Sequence, residues 1–283
     1  MTASLQRKIH TMTILLGAHV GAGAKGINHE IISHGAEIAQ IFLGSPMSWK
    51  PPKHLPLNEN ARPNWVAPIF IHCSYLVNPA SSNPQVRARS IISLNQQLEI
   101  ASLVGAQGLV VHGGHNSGGS VKQAIEHWEE ALESLNFRAP LLIENTAGGS
   151  AAPARHLNDL EALWKVAGKH ESVGLCIDTC HAHAGGMETR GMGKRIMEIT
   201  GRIDLIHANG SRDVPGSGRD KHTNLFDSDI PMDDMIELIR TADSPVILET
   251  PGGLHAQLTE LRMLRERLGL PGSEGLQIAS NGA

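Results

Sequence analysis

The chain has 283 residues, a formal charge of −4 from 24 basic and 28 acidic side chains, 41% hydrophobic residues and only 3% aromatic residues. This length suits one α/β barrel domain, and the scarcity of aromatics calls for a core of Ala, Val, Ile and Leu. No apolar segment approaches the ~20 residues that cross a bilayer and Met1 to Thr13 has no signal-peptide core, so no membrane association and a cytoplasmic location are expected; the slight acidity by itself argues against a nucleic-acid partner.

Eight short apolar runs recur along the chain: Ile14 to Val20, Ile38 to Leu43, Pro68 to Tyr75, Gly108 to Gly113, Pro140 to Asn145, Val173 to Asp178, Ile203 to Ala208 and Pro245 to Thr250. Each reads as a strand buried on both faces. Helical periodicity occupies Val86 to Val104, Val121 to Leu135, Leu157 to Val166, Met232 to Ile239 and Leu258 to Leu268. Strand and helix alternate, and no linker interrupts them. Residues 13–270 are therefore expected to form one α/β domain, a (β/α)₈ TIM barrel rather than a doubly wound sheet. The N-terminal extension, 1–12, and the tail, 271–283, are expected to be mobile ends.

A barrel of this kind builds its site at the C-terminal ends of the strands and in the loops after them. There the sequence places His72, His112, Glu144, Asp178 with His181, His207 and Glu249, and the glycine-rich stretch after the seventh run adds Asp220 and His222. One such histidine would usually be a hydrogen-bonded structural residue. Ligand-type residues at six consecutive strand ends are a different matter, because buried carboxylates are costly unless paired or metal-bound. Sixteen histidines against a single tyrosine strengthen the metal reading. Cys73, Cys176 and Cys180 form no disulfide framework and are read as reduced, structural thiols rather than ligands.

Five imidazoles and four carboxylates suit Zn²⁺, with Mn²⁺ or Fe²⁺ as alternatives. Nine groups exceed what one ion takes, so two or three ions are expected, an arrangement used for displacement at phosphorus.

Three stretches carry a family resemblance: Ile143-Glu144-Asn145-Thr146-Ala147-Gly148, Cys176-Ile177-Asp178-Thr179-Cys180-His181-Ala182 and Gly216-Ser217-Gly218-Arg219-Asp220-Lys221-His222. With them the sequence resembles the endonuclease IV family of zinc-dependent apurinic/apyrimidinic endonucleases, from Gly17 to Thr250. The resemblance implies a xylose isomerase-like barrel with three zinc ions, Mn²⁺ being an alternative at one position. His72, His112 and Glu144 would hold the first ion. Glu144, as a bridge, with Asp178, His207 and Glu249 would hold the second, and His181, Asp220 and His222 the third. The implied reaction is attack by a metal-held hydroxide on the phosphate 5′ to an abasic site, leaving a 3′-hydroxyl and a 5′-deoxyribose phosphate, with removal of 3′ blocking groups as a further activity. Glu144 would help to orient the nucleophile.

The implied partner is double-stranded DNA with abasic sites or 3′ blocking groups, met at the nucleoid; the default expectation for the chain's own assembly is a monomer. Three divalent ions would turn the formal charge of −4 into +2, and Arg190, Arg212, Arg219 and Lys221 add positive charge near the site. Tyr75 matches the family's lesion-inserting tyrosine. Met47 stands where some members have arginine, and could serve as an apolar wedge instead. Asn209-Gly210-Ser211 replaces a more usual Asn-Asp. His19 is expected to support a ligand rather than be one, and His115 and His183 to be loop residues. Two other functions are weighed: a metal-dependent sugar isomerase or epimerase on the same barrel, which needs fewer ligands, and a protein that binds zinc or damaged DNA without cutting it.

Overall fold

The computed structural model describes residues 14–21, 26–50 and 63–271. The expected N-terminal extension, and all of the expected tail except residue 271, lie outside the described residues. Eight strands, β1 (Leu16–His19), β2 (Ile38–Phe42), β3 (Ile69–His72), β4 (Gly108–His112), β5 (Leu141–Glu144), β6 (Val173–Asp178), β7 (Leu205–His207) and β8 (Val246–Leu248), form a closed barrel in chain order. All pairs are parallel, and β8 closes on β1 with Leu16 opposite Val246. The expected barrel is thus observed, with most strands somewhat shorter than the apolar runs that announce them.

The helices are α1 (Ile27–Ser33), α2 (Pro84–Val104), α3 (Val121–Glu133), α4 (Leu157–Ala167), α5 (Thr179–Gly185), α6 (Met192–Thr200), α7 (Met232–Ala242) and α8 (Gly253–Leu268). Their ends carry local signals: Asn83 caps α2 through the backbone N–H groups of Gln85 and Val86, and Ser120 with Gln123 forms a capping box on α3. Helices α1, α5 and α6 are not expected from periodicity. Every residue of α5 is buried, so it has no polar face to give a 3.6-residue signal, and α1 spans only seven residues. No helix among the described residues is long and apolar enough to cross a membrane.

Alternation along each strand sorts the side chains into an outer and an inner set. Outward residues such as Ile69, Ile71, Leu109, Val111, Ile143, Leu175, Ile177, Val246 and Leu248 pack with the helices. Inward residues Ile38, Phe70, Val110, Leu142, Cys176, Leu205 and Ile247 form a separate apolar layer inside the barrel. Gly17 also faces inward, and a Cβ there would collide with the Ile38 carbonyl, so β1 and β2 approach this closely only with glycine.

Candidate metal centre

Two residues beyond that apolar layer, on the same inward face, every strand of the barrel wall presents a polar side chain: His19 of β1, level with Gln40, then Gln40, His72, His112, Glu144, Asp178, His207 and, just past β8, Glu249. The register fixes their level, since His112 is paired with Glu144 and Asp178 with His207. Gln40, His72, Glu144, Asp178 and His207 are buried, and the sequence-derived Asp220 and His222 arrive on the loop after β7.

Glu144 is the centre of the arrangement. Its Oε2 lies 3.1 Å from His72 Nε2 and 3.4 Å from His112 Nε2, while its Oε1 lies 3.1 Å from Nδ1 of both His181 and His207. Donor atoms of His72, His112 and Glu144 all fall within 4.8 Å of one another, as do those of His181, Asp220 and His222. The remaining ligand-type residues lie between them: Glu249 Oε2 is 3.4 Å from His207 Nδ1, and Asp178 Oδ2 is 3.6 Å from His222 Nε2. All nine residues singled out in the sequence are therefore brought together.

The local fold aims these atoms. Asp178 caps α5, its Oδ1 accepting the backbone N–H of His181 at 2.7 Å, so the turn that separates the two side chains is held by one of them. His72 Nδ1 donates to the Cys73 carbonyl and His181 Nδ1 to the Asn145 carbonyl, which leaves both Nε2 atoms facing carboxylates. The Asn145 side chain in turn holds the Asp178 backbone at both its N–H and its carbonyl. Asn209 Nδ2 donates to Asp178 Oδ2 at 2.6 Å and to Glu249 Oε2 at 3.3 Å, while its Oδ1 accepts the Glu249 N–H.

A metal fits this donor set. His222 Nε2 is buried, 3.1 Å from Asp220 Oδ1 and 3.6 Å from Asp178 Oδ2, without the alignment of a hydrogen bond to either, so the three groups converge on shared space. Mixed imidazole and carboxylate donors crowded at 3.1–3.6 Å form a set that could hold a metal ion.

The charges respond to one another. Burial alone would raise Glu144, but His207 and His112, with hydrogen bonds from His181 and His207, hold it well below the usual carboxylate range. At Asp178 burial wins and the carboxyl is raised. His222 would be lowered by burial, but Asp178 and Asp220 lift it to about 9; His181 and His207 are raised well above the usual imidazole value by neighbouring acids despite burial. Burial drops His112 to about 4, leaving it neutral. Cys176 lies among donor atoms of Glu144 and His207, and Cys180 among those of Asp178 and His222; burial pushes both thiols up to about 12, in keeping with uncharged structural cysteines.

Tyr75 stacks on His112 at 5.6 Å and 7°, with half of its surface exposed, and burial with the nearby carboxylates raises its hydroxyl to about 12. Its backbone N–H and the Ser74 hydroxyl both donate to the Pro46 carbonyl, so Met47, 65% exposed, sits on a loop tied to Tyr75. Arg219 and Lys221 are exposed on the loop after β7, Arg219 ion-paired with Asp213 at 3.3 Å. Arg212 is likewise paired with Asp227. His115 is a loop residue, as expected, whereas His183 falls in α5, bonded to the Asp213 carbonyl.

Three contributors escape a reading of the sequence. Gln40 contacts His19, Glu249 and His207. Asn145 orients Asp178 and His181. Glu260 of α8, fully buried, accepts from the Leu225 N–H and the Thr250 hydroxyl and so ties the loop carrying Asp220 and His222 to the end of β8. Gln40 has a sequence signal, a polar residue at an inward position of an apolar strand; Glu260 has none, since a lone glutamate on a helix reads as surface.

A family model described as the xylose isomerase-like TIM barrel matches residues 32–267. A probable endonuclease 4 of Mycobacterium marinum is 40% identical over 262 residues, covering 90% of this chain and 99% of the relative. That of Mycobacterium leprae is 38% identical over 255 residues, again 90% and 99%. Among solved structures, endonuclease IV from Thermus thermophilus is similar with a TM-score of 0.74 and 30% identity, over 90% of this chain and 99% of that one. A D-tagatose 3-epimerase-like protein reaches 0.73 at 16% identity, over 90% and 97%, a likeness of fold alone.

Proposed function

The chain belongs to the endonuclease IV family of xylose isomerase-like barrels, and from that premise we propose that it is a DNA-repair phosphodiesterase cutting 5′ to abasic sites in duplex DNA, with a 3′-hydroxyl and a 5′-deoxyribose phosphate as products. The observation that carries this reading is the double use of Glu144: one oxygen faces Nε2 of His72 and His112, the other faces Nδ1 of His207. A carboxylate shared in this way suits a bridge between ions rather than a single-ion site.

In this proposal His72, His112 and Glu144 hold one zinc, Glu144, Asp178, His207 and Glu249 a second, and His181, Asp220 and His222 a third, with Mn²⁺ as an alternative at one position. Zinc there would supply a water nucleophile active at neutral pH and positive charge for the attacking and leaving oxygens of the phosphate. The chain's own groups do the positioning. Glu144 sets the spacing of the donor sets and orients the nucleophile. Tyr75, braced on His112 and by the Pro46 carbonyl, offers a ring at the rim on which an extruded nucleotide can stack, with Met47 beside it as an apolar wedge. Arg219 and Lys221 meet the phosphate backbone. Terminal 3′ blocking groups present the same bond to the same atoms, so 3′ repair is part of the proposed activity. A single-ion sugar isomerase would leave His181, Asp220 and His222 without a role.

The test is metal analysis followed by incubation with a duplex oligonucleotide that carries one abasic site. About three zinc ions per chain and a single incision 5′ to the lesion, lost with a chelator and restored by zinc, are expected. Protein that holds three ions and does not cut would overturn the nuclease reading, and one ion with sugar epimerase activity would replace it.

A further inference from the structure

We propose that Gln40 is a positioning residue that selects which atoms of His207 and Glu249 face the ion they share, an inference that rests on the metal reading above. Gln40 lies at the centre of β2 with 0% of its surface exposed, one step above the apolar layer and level with the ligand-type residues. Among the described residues its amide has three partners, all belonging to this centre: Oε1 is 2.9 Å from His207 Nε2, and Nε2 is 2.6 Å from Glu249 Oε1 and 3.0 Å from His19 Nδ1.

The chemistry leaves one orientation. An ionised carboxylate can only accept, so the NH₂ end of the amide must face Glu249, and its second hydrogen then goes to His19. The oxygen end must consequently face His207, whose Nε2 has to be the protonated nitrogen. His207 is left with Nδ1 as its free lone pair, and Glu249 with Oε2, because its Oε1 is occupied by the amide. These two surviving atoms lie 3.4 Å apart, and the same Nδ1 is 3.1 Å from Glu144 Oε1. A flipped amide would set its carbonyl oxygen against a carboxylate. The charge of Glu249 thus fixes the amide, and the amide fixes the tautomer of His207.

The contrast with the other histidines shows why a dedicated residue is needed. His72 and His181 spend Nδ1 on backbone carbonyls at strand ends, that of Cys73 just past β3 and that of Asn145 just past β5, at 2.8 and 3.0 Å, and offer Nε2. His207 is turned the other way, its Nε2 pointing across the barrel to β2, where a side-chain oxygen and not a backbone carbonyl meets it. The Gln40 amide there does the work that the backbone does elsewhere, as partners of metal-bound histidines commonly do.

The test uses full-length protein loaded with zinc. Nitrogen-15 NMR of the labelled imidazoles should show His207 coordinated through Nδ1 with a proton on Nε2, whereas His72 and His181 are coordinated through Nε2. Gln40→Met, of similar length and without the amide, should weaken binding of one zinc by about 10- to 100-fold, with the other two retained and the His207 signal split between the two nitrogens. Coordination of His207 through Nε2 in the unaltered protein would overturn the inference even if the variant did not fold. So would a Gln40→Met protein with unchanged zinc affinity and an unchanged His207 signal. Unaltered protein that binds no zinc would remove the metal reading and this inference together, an outcome distinct from the other two.

Discussion

The inner wall of the barrel carries two layers that share the same strands and the same face yet do opposite work. The lower one, Ile38, Phe70, Val110, Leu142, Cys176, Leu205 and Ile247, is apolar and closed. The upper one, Gln40, His72, His112, Glu144, Asp178, His207 and Glu249, begins two residues further on, about 6.6 Å along each strand. The lower layer gains from leaving water, and its members need only fill space. The upper layer loses by the same burial, and is tolerable only because each carboxylate has imidazoles or amides against it. Stability and chemistry are therefore stacked rather than interleaved, and a substitution in one layer should leave the other's property largely intact.

The largest expected effect lies in the upper layer. Glu144→Gln removes the shared carboxylate and should lower abasic-site incision by about 10³-fold or more, several kcal/mol of transition-state stabilisation, while circular dichroism of the metal-free protein stays unchanged. A collapse of the fold in this variant would break the separation of layers. In the lower layer, Phe70→Ala should cost about 3–5 kcal/mol in denaturant unfolding, and the folded fraction should keep its full zinc content. Loss of zinc in folded Phe70→Ala protein would show that the apolar layer also sets ligand geometry.

A third prediction concerns protons. His222 is held at about 9, and His181 and His207 are well above the ordinary value, in the metal-free chain. These imidazoles are charged at neutral pH, so zinc binding should release protons and tighten as pH rises toward 9, read by titration calorimetry in buffers of different ionisation heat. The stability of the metal-free chain should run the other way. A folded-state pKa above the unfolded value contributes stability that is fully present below about 6.5 and lost as pH rises through about 9. Equal pH trends for the two forms would contradict the coupling of these histidines to Asp178 and Asp220. The smallest effect is expected at the rim: Tyr75→Ala should weaken binding of abasic duplex on the order of 10-fold, through lost stacking, with zinc content and unfolding unchanged.

The upper layer is legible in the sequence for a physical reason. In a parallel barrel the strands are apolar on both faces, so His72, His112, Glu144, Asp178 and His207 stand out at the ends of runs such as Val173 to Asp178. The helices are unevenly legible. Helix α5 is buried on every side and lacks the polar face that makes α3 legible, and α1 is too short to show a period. Glu260 is illegible because nothing local marks a helical glutamate as the partner of a backbone N–H 35 residues earlier.

By itself, then, the sequence determined the eight strands, five of the helices between them, the residue types at the strand ends and the family they resemble, because hydrophobic periodicity and ligand chemistry are written in local order. Only the tertiary structure decided which atom of each residue faces the centre. Closure of the barrel brings Gln40 of β2 against His207 of β7 and Glu249 after β8, 167 and 209 residues away, and the choice between Nδ1 and Nε2 depends on that contact. A tautomer belongs to a hydrogen-bond partner, and partners across a closed sheet exist only once the sheet has closed.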